Sequence, residues 1–238
     1  MKNRYIRIFM VFCTAFILIL GNGCFLKSHK TLMLEYLEDK YGEEFEPLSY
    51  AGESWAYSYD KLSAHPKGKE DQIFNIQGCK NKEGKYVCHD NYFYYIIRDE
   101  YEQAMSNIVK IYFTDFKLYM LRGEGMYPDR LNYGTKIKDI YKEGEKFNAN
   151  FNLFVKKSNT KSIGIDKMLI EIAQKRLEQK FIGELSFYNT YDEKYKLINR
   201  EKWYDSKDKW FEPNISVIVK QDLEVYMFKD NKHIEITN

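Results

Sequence analysis

Phe93, Ile97, Tyr101, Ala104, Ile108 and Ile111 recur at intervals of three or four residues, a continuous apolar stripe along one face of a long helix. Such a stripe must be buried against a second apolar surface. Asp90 suits the N-cap position ahead of it, and Arg98, Asp99, Glu100, Glu102 and Gln103 fall largely off the stripe. Strands follow. Residues 116–121 are apolar and extended, and residues 147–155 (FNANFNLFV) alternate with the period of two that marks a half-buried strand. Ile165, Met168, Leu169, Ile172, Ala173 and Leu177 mark a second amphipathic helix. Lys175, Arg176 and Lys180 sit near its C-terminus, where cations suit the helix dipole, and Gly183 follows as a stop. Residues 184–188, 195–198, 214–220 and 225–228 then read as an antiparallel meander.

The N-terminal half uses the same grammar. Residues 31–41 place Leu34, Leu37 and Tyr41 on one helical face, with Gly42 as a C-cap. Residues 45–50 are extended, Trp55, Tyr57 and Tyr59 alternate as in a strand, and residues 64–68 read as a loop. Residues 72–78 and 85–89 form two arms of a hairpin. A Gly- and Pro-containing connection over 122–134 separates the halves, and Thr135 is placed to cap a short helix to residue 142. Helix followed by strands, twice over, predicts an α+β fold: antiparallel sheets with helices packed on one face, in two small subdomains over 31–122 and 123–238.

Cys79 and Cys88 bracket the hairpin turn. A two-residue turn at Glu83-Gly84 pairs 82 with 85 and, further out, 79 with 88. In that register the cysteines face each other at about 4.5 Å between Cα atoms, the near edge of disulfide geometry. A disulfide there would contribute about 2–3 kcal/mol. Metal binding by Cys79, Cys88 and His89 lacks both ligand spacing and a fourth ligand.

The chain begins with Lys2, Arg4 and Arg7, then an apolar run from Ile8 to Leu20, then Gly21-Asn22-Gly23-Cys24. The run reaches only about 20 Å as a helix, short of the ~30 Å hydrocarbon core, so it reads as a cleavable signal over residues 1–23. Leu20 through Cys24 resembles the lipobox of bacterial lipoproteins, although Gly21 and Asn22 depart from the usual Leu and Ser or Ala. The resemblance implies cleavage before Cys24, di- or triacylation of that cysteine, and anchoring to the outer face of the cell membrane. Residues 24–30, with Lys27, His29 and Lys30, then form a short basic tether. The α+β plan is similar to that of small uncharacterised surface lipoproteins of Gram-positive bacteria.

Charge narrows the partners. The chain carries 37 Lys+Arg against 35 Asp+Glu, and losing the three leader cations turns that excess into a net charge of −1. The mature body therefore has no basic surplus for phosphates, which argues against nucleic acid. Aromatic residues reach 17%, with 21 Tyr and 16 Phe, spread through every segment as core filling would spread them. Nucleophile-elbow, P-loop, zincin and dinucleotide-binding motifs are all missing from the sequence. His29, His65, His89 and His233 are scattered, with His89 placed for a surface or capping role. No catalytic, metal or cofactor site is assigned. Trp203 and Trp210, in a charged segment, are either a contact patch or lids over the sheet. The expectation is a membrane-anchored, non-catalytic binding module for an envelope protein, peptide or glycan. The alternative is a cell-envelope hydrolase acting through carboxylates such as Asp99, Glu100 and Glu102.

Overall fold

The computed structural model describes residues 27–160, 164–201, 203, 210–211, 215–229 and 232–236. The leader and Cys24 lie outside the described residues. Helix α1 (His29–Tyr41) starts where Ser28 accepts a hydrogen bond from the Thr31 backbone and ends at Gly42, whose φ of 70° places it in the left-handed region. Its buried face is Met33, Leu37 and Tyr41, with Leu34 only half-buried beside it. That face packs on a four-stranded antiparallel sheet in sequence order: β1 (Phe45–Ala51), β2 (Asp60–Pro66), β3 (Phe74–Lys80) and β4 (Tyr86–Asp90). Leu62, Ala64, Phe74 and Ile76 meet α1, while Lys61, Ser63, Asn75 and Gln77 alternate with them and face away. Two expectations change here. Ala64, His65 and Pro66 belong to β2, and residues 55–59 form no strand; instead Ser54 and Tyr57 exchange backbone hydrogen bonds around a tight turn at Trp55-Ala56.

The long helix, α2 (Phe93–Val109), is N-capped by Tyr92 rather than Asp90. It buries Phe93, Tyr94, Ile97, Tyr101, Met105, Ile108 and Val109, so the stripe holds in the main, with Ile111 beyond the helix and exposed. Its core partner is a six-stranded sheet of order β10-β9-β8-β7-β6-β5. Those strands are β5 (Phe116–Leu121), β6 (Asn150–Lys156), β7 (Gly183–Thr190), β8 (Ile215–Val219), β9 (Val225–Lys229) and β10 (Lys232–Glu235). Helix α3 (Ile165–Glu178) links β6 to β7, which pair in parallel; every other pairing is antiparallel. The architecture is α+β.

Several local readings are corrected. Residues 195–198 form no strand, since a single-turn helix α4 (Asp192–Tyr195) takes their place, and the helix expected over 135–142 reduces to a 3-10 turn at Ile137–Asp139. Strand β6 is not half-buried. Phe151, Leu153 and Val155 join the main core, whereas Asn152 is buried too and Phe154 joins a second cluster with Tyr195, Ile198, Trp203 and Phe211. Arg176 is not a surface cation. It is fully buried, donating to the carbonyls of Gly183 and Val217, and burial pulls its pKa down to about 10. Gly183 opens β7 rather than ending a helix; at φ 127° a Cβ there would run into the Ala149 backbone.

Candidate ligand-binding site

The open face of the four-stranded sheet forms the floor of a cleft of about 700 Å³. Strand alternation places Lys61, Asn75 and Gln77 on that floor. One wall is the β1–β2 loop, including Ser54, Tyr57 and Tyr59, whose tyrosine rings lie 5.5 Å apart. Arg122, Gly123, Glu124 and Met126 form the other wall. Both walls are held from behind. Asp60, almost fully buried, accepts from the Glu53 backbone (2.8 Å), the Tyr50 hydroxyl (3.1 Å) and the Tyr86 hydroxyl (2.6 Å), and pairs with His29 Nδ1 at 2.7 Å. Burial pushes the Asp60 carboxyl up, but the donors from Tyr86, Glu53, Tyr50 and His29 together bring it below the ordinary carboxylate value. On the other side, buried Asn91 donates to the Gly123 carbonyl, and Arg122 donates to the Ile73 carbonyl and the Tyr95 hydroxyl.

What lines the cleft is chemically mixed. Among the described residues, the side chains of Lys61, Gln77 and Glu124 make no hydrogen bond or ion pair. Ser63 donates to Asn75 Oδ1 at 2.8 Å, which fixes that amide in place. Rigid rings beside amides and charged groups of both signs can stack on an apolar face and, at the same time, give and accept hydrogen bonds.

A second cleft, of about 570 Å³, runs between α1 and β4. Beneath it lies fully buried Asp90, which accepts from the Tyr41 hydroxyl, the Tyr92 backbone, the Tyr36 hydroxyl and Lys40 Nζ, all at 2.8–2.9 Å. The Tyr36 oxygen also sits 2.8 Å from Asp129 Oδ1, and His89 Nδ1 is 3.3 Å from the same atom. The bond to Asp129 raises the His89 pKa above its ordinary value. Burial pushes Asp129 up, yet His89 and Tyr36 outweigh that and hold it below the usual carboxylate range. These groups satisfy one another. Their arrangement clamps α1 to the end of β4.

Cys79 and Cys88 are free thiols. Asn81 is the cause: its backbone bonds Lys85 and its side-chain oxygen accepts from Glu83 and Lys85, so the loop holds three residues with Gly84 left-handed. The longer loop shifts the register by one, pairing Cys79 with Val87 and Cys88 with Gly78, and the two sulfurs point to opposite faces. Burial, with help from Asp129, pushes the Cys88 thiol up to about 12, far from a thiolate at neutral pH. Trp203 is buried against Phe154 and Tyr188 as a lid over the sheet, and Trp210 packs partly buried on Phe211.

Of the carboxylates that could serve hydrolysis, Asp99 and Glu102 are held by arginines. Glu102 forms a two-point pair with Arg200 (2.7 and 2.8 Å) and accepts from the Met120 backbone, whereas exposed Asp99 pairs with its neighbour Arg98. His65 is buried with Nδ1 2.9 Å from the Pro66 carbonyl oxygen, and His233 lies exposed on β10 against Phe228. No family model matches the chain, and no curated protein matches it. Among solved structures it is similar to the crystal structure of a DUF5037 family protein from Ruminococcus gnavus ATCC 29149, at 12% identity and a TM-score of 0.43, over 81% of this chain and 92% of that one.

Of the cleft residues, the sequence marks Tyr57 and Tyr59 individually, as part of an alternating strand, and the others only as members of a hairpin arm or a connection. The polar alternation Lys61-Ser63 and Asn75-Gln77 was an available signal for an uncovered sheet face. The Arg122–Met126 wall carries no local signal, because tertiary bonds to Asn91 and Ile73 place it.

Proposed function

We propose that this chain is an extracytoplasmic lipoprotein, anchored through Cys24 to the outer face of the membrane, that binds a glycan without turning it over. The leader residues and Cys24 support the anchor. The observation that carries the binding reading is the open-face cleft, where the Tyr57 and Tyr59 rings stand beside Lys61, Gln77 and Glu124 that have no partners among the described residues. A sugar chain has apolar C–H faces for the rings and hydroxyls that both donate and accept, matching amides and mixed charges better than a purely apolar ligand would. The cleft lies within the 300–1,000 Å³ range of ordinary ligand sites.

Calorimetric titration with cell-envelope glycan fragments tests this. Tyr59→Ala and Gln77→Ala should leave the melting temperature near wild type, and Tyr59→Ala should weaken binding by about thirtyfold, as loss of an aromatic anchor does. Binding that neither substitution touches, or no binding to any fragment, rejects the assignment. Release of the wild-type protein from membranes without detergent would reject the anchor separately.

A further inference from the structure

Four of the nine large apolar side chains exposed among the described residues fall within ten positions on one hairpin: Leu48, Tyr50, Trp55 and Tyr57. Trp55 is 100% exposed at the tip of a two-residue turn closed by Ser54 and Tyr57. Leu48 stands out at a β-bulge, unpaired with β2. A tryptophan wholly in water contributes nothing to folding, and clustered exposed rings mark a contact surface.

What that surface meets follows from where the hairpin is tied. His29 is bonded to Asp60, and the other oxygen of the same carboxylate holds the Glu53 backbone, two residues from Trp55. Between Cys24 and His29 the chain spans at most about 17 Å even fully extended. The hairpin therefore stays close to the point of lipid attachment. We infer that the β1–β2 hairpin docks on the bilayer surface, with Trp55 and Leu48 entering the headgroup layer. Trp and Tyr favour that layer, where the ring lies in an apolar zone while its polar atom stays wet. The inference rests on the anchoring of Cys24. It turns the protein from one that swings on a lipid leash into one held by two contacts, with the open-face cleft at a fixed height and tilt.

The full-length protein, isolated from membranes, is reconstituted into phosphatidylcholine vesicles containing phosphatidylglycerol and brominated acyl chains. Bromine should quench the tryptophan emission of the wild type more than that of Trp55→Phe, whose remaining tryptophans are buried Trp203 and partly buried Trp210. In parallel, the mature chain without residues 1–23 and carrying Cys24→Ser is sedimented with the same vesicles, alone and with Trp55→Ser and Leu48→Ser added. The added pair should weaken partitioning about tenfold, in proportion to the apolar surface removed. Equal quenching in wild type and Trp55→Phe, or partitioning indifferent to the added pair, overturns the docking surface. If the wild type proves unacylated, the anchor reading falls alone, and the Cys24→Ser sedimentation still decides for or against docking.

Discussion

His89 and Asp129 shift in opposite directions, and that gives the α1 clamp a pH window. A histidine whose pKa rises on folding adds stability that is complete below its unfolded value of 6.5 and is lost as pH climbs through the higher folded value. Asp129, lowered on folding, contributes above 3.8 and loses that contribution as pH falls through its lower folded value. The pair is therefore strongest between those limits, with Lys40 opposing and Asp90 reinforcing the charge on His89. Urea titrations should show His89→Ala costing stability near about pH 5.5 and much less near about pH 9, where the imidazole is neutral in both states; an equal cost at both would mean the ring matters only by packing. Arg176 poses the reverse case, a buried cation whose direct partners are carbonyls. Replacing a buried ion by an apolar side chain of similar length is often neutral or stabilising. Arg176→Met should melt within about 1 kcal/mol of wild type or above it, whereas Arg176→Ala should lose about 2–5 kcal/mol through the cavity it opens. The burial of Arg176 was legible: with Leu169, Ile172 and Ala173 it continues the i, i+3, i+4, i+7 stripe, and its charge alone argued otherwise.

At the scale of elements, local chemistry decided what could be read from sequence. Helix α1 was legible because Gly42 supplies the left-handed cap and Tyr41 and Leu37 keep one face. The β3–β4 hairpin was legible as a hairpin and not in register, because the Asn81 side chain replaces a backbone acceptor and admits one more loop residue. That single residue separates a disulfide from two unrelated thiols. Thiol labelling of native protein should modify half-exposed Cys79 readily, reach buried Cys88 only on denaturation, and give the same result with or without reductant. A mass deficit matching an oxidised pair would restore the shorter loop. Parallel pairing of β6 with β7 left a trace in the near-continuous apolar run of β6, interrupted by Asn152 alone, since a strand covered on both faces loses its alternation.

On the scale of the whole molecule, the changeover between sheets falls between adjacent residues: Tyr92 packs with α1, and Phe93 with the six-stranded sheet. The larger core draws on both sides of position 122, taking α2 and β5 from one side and β6 to β9 from the other. Residues 123–238 produced alone should accordingly show no cooperative thermal transition by circular dichroism, having lost every α2 contact; a sharp melt would establish an autonomous second unit. The cleft was the least legible feature of all, because its floor, aromatic wall and Arg122 wall meet only after the sheet and the Asn91 bond exist. Connectivity also sets an order in time. The four-stranded sheet is built of neighbours in the chain, Lys80 meeting Tyr86 across a short loop, so it can zip from its turns. The centre of the other sheet must wait for Phe151 to find Leu185 across the whole of α3. A chain emerging from its N-terminus would thus complete the clamp and the aromatic hairpin while the last strands were still being delivered, and the slow step of its maturation would belong to the half of the molecule that carries no ligand cleft.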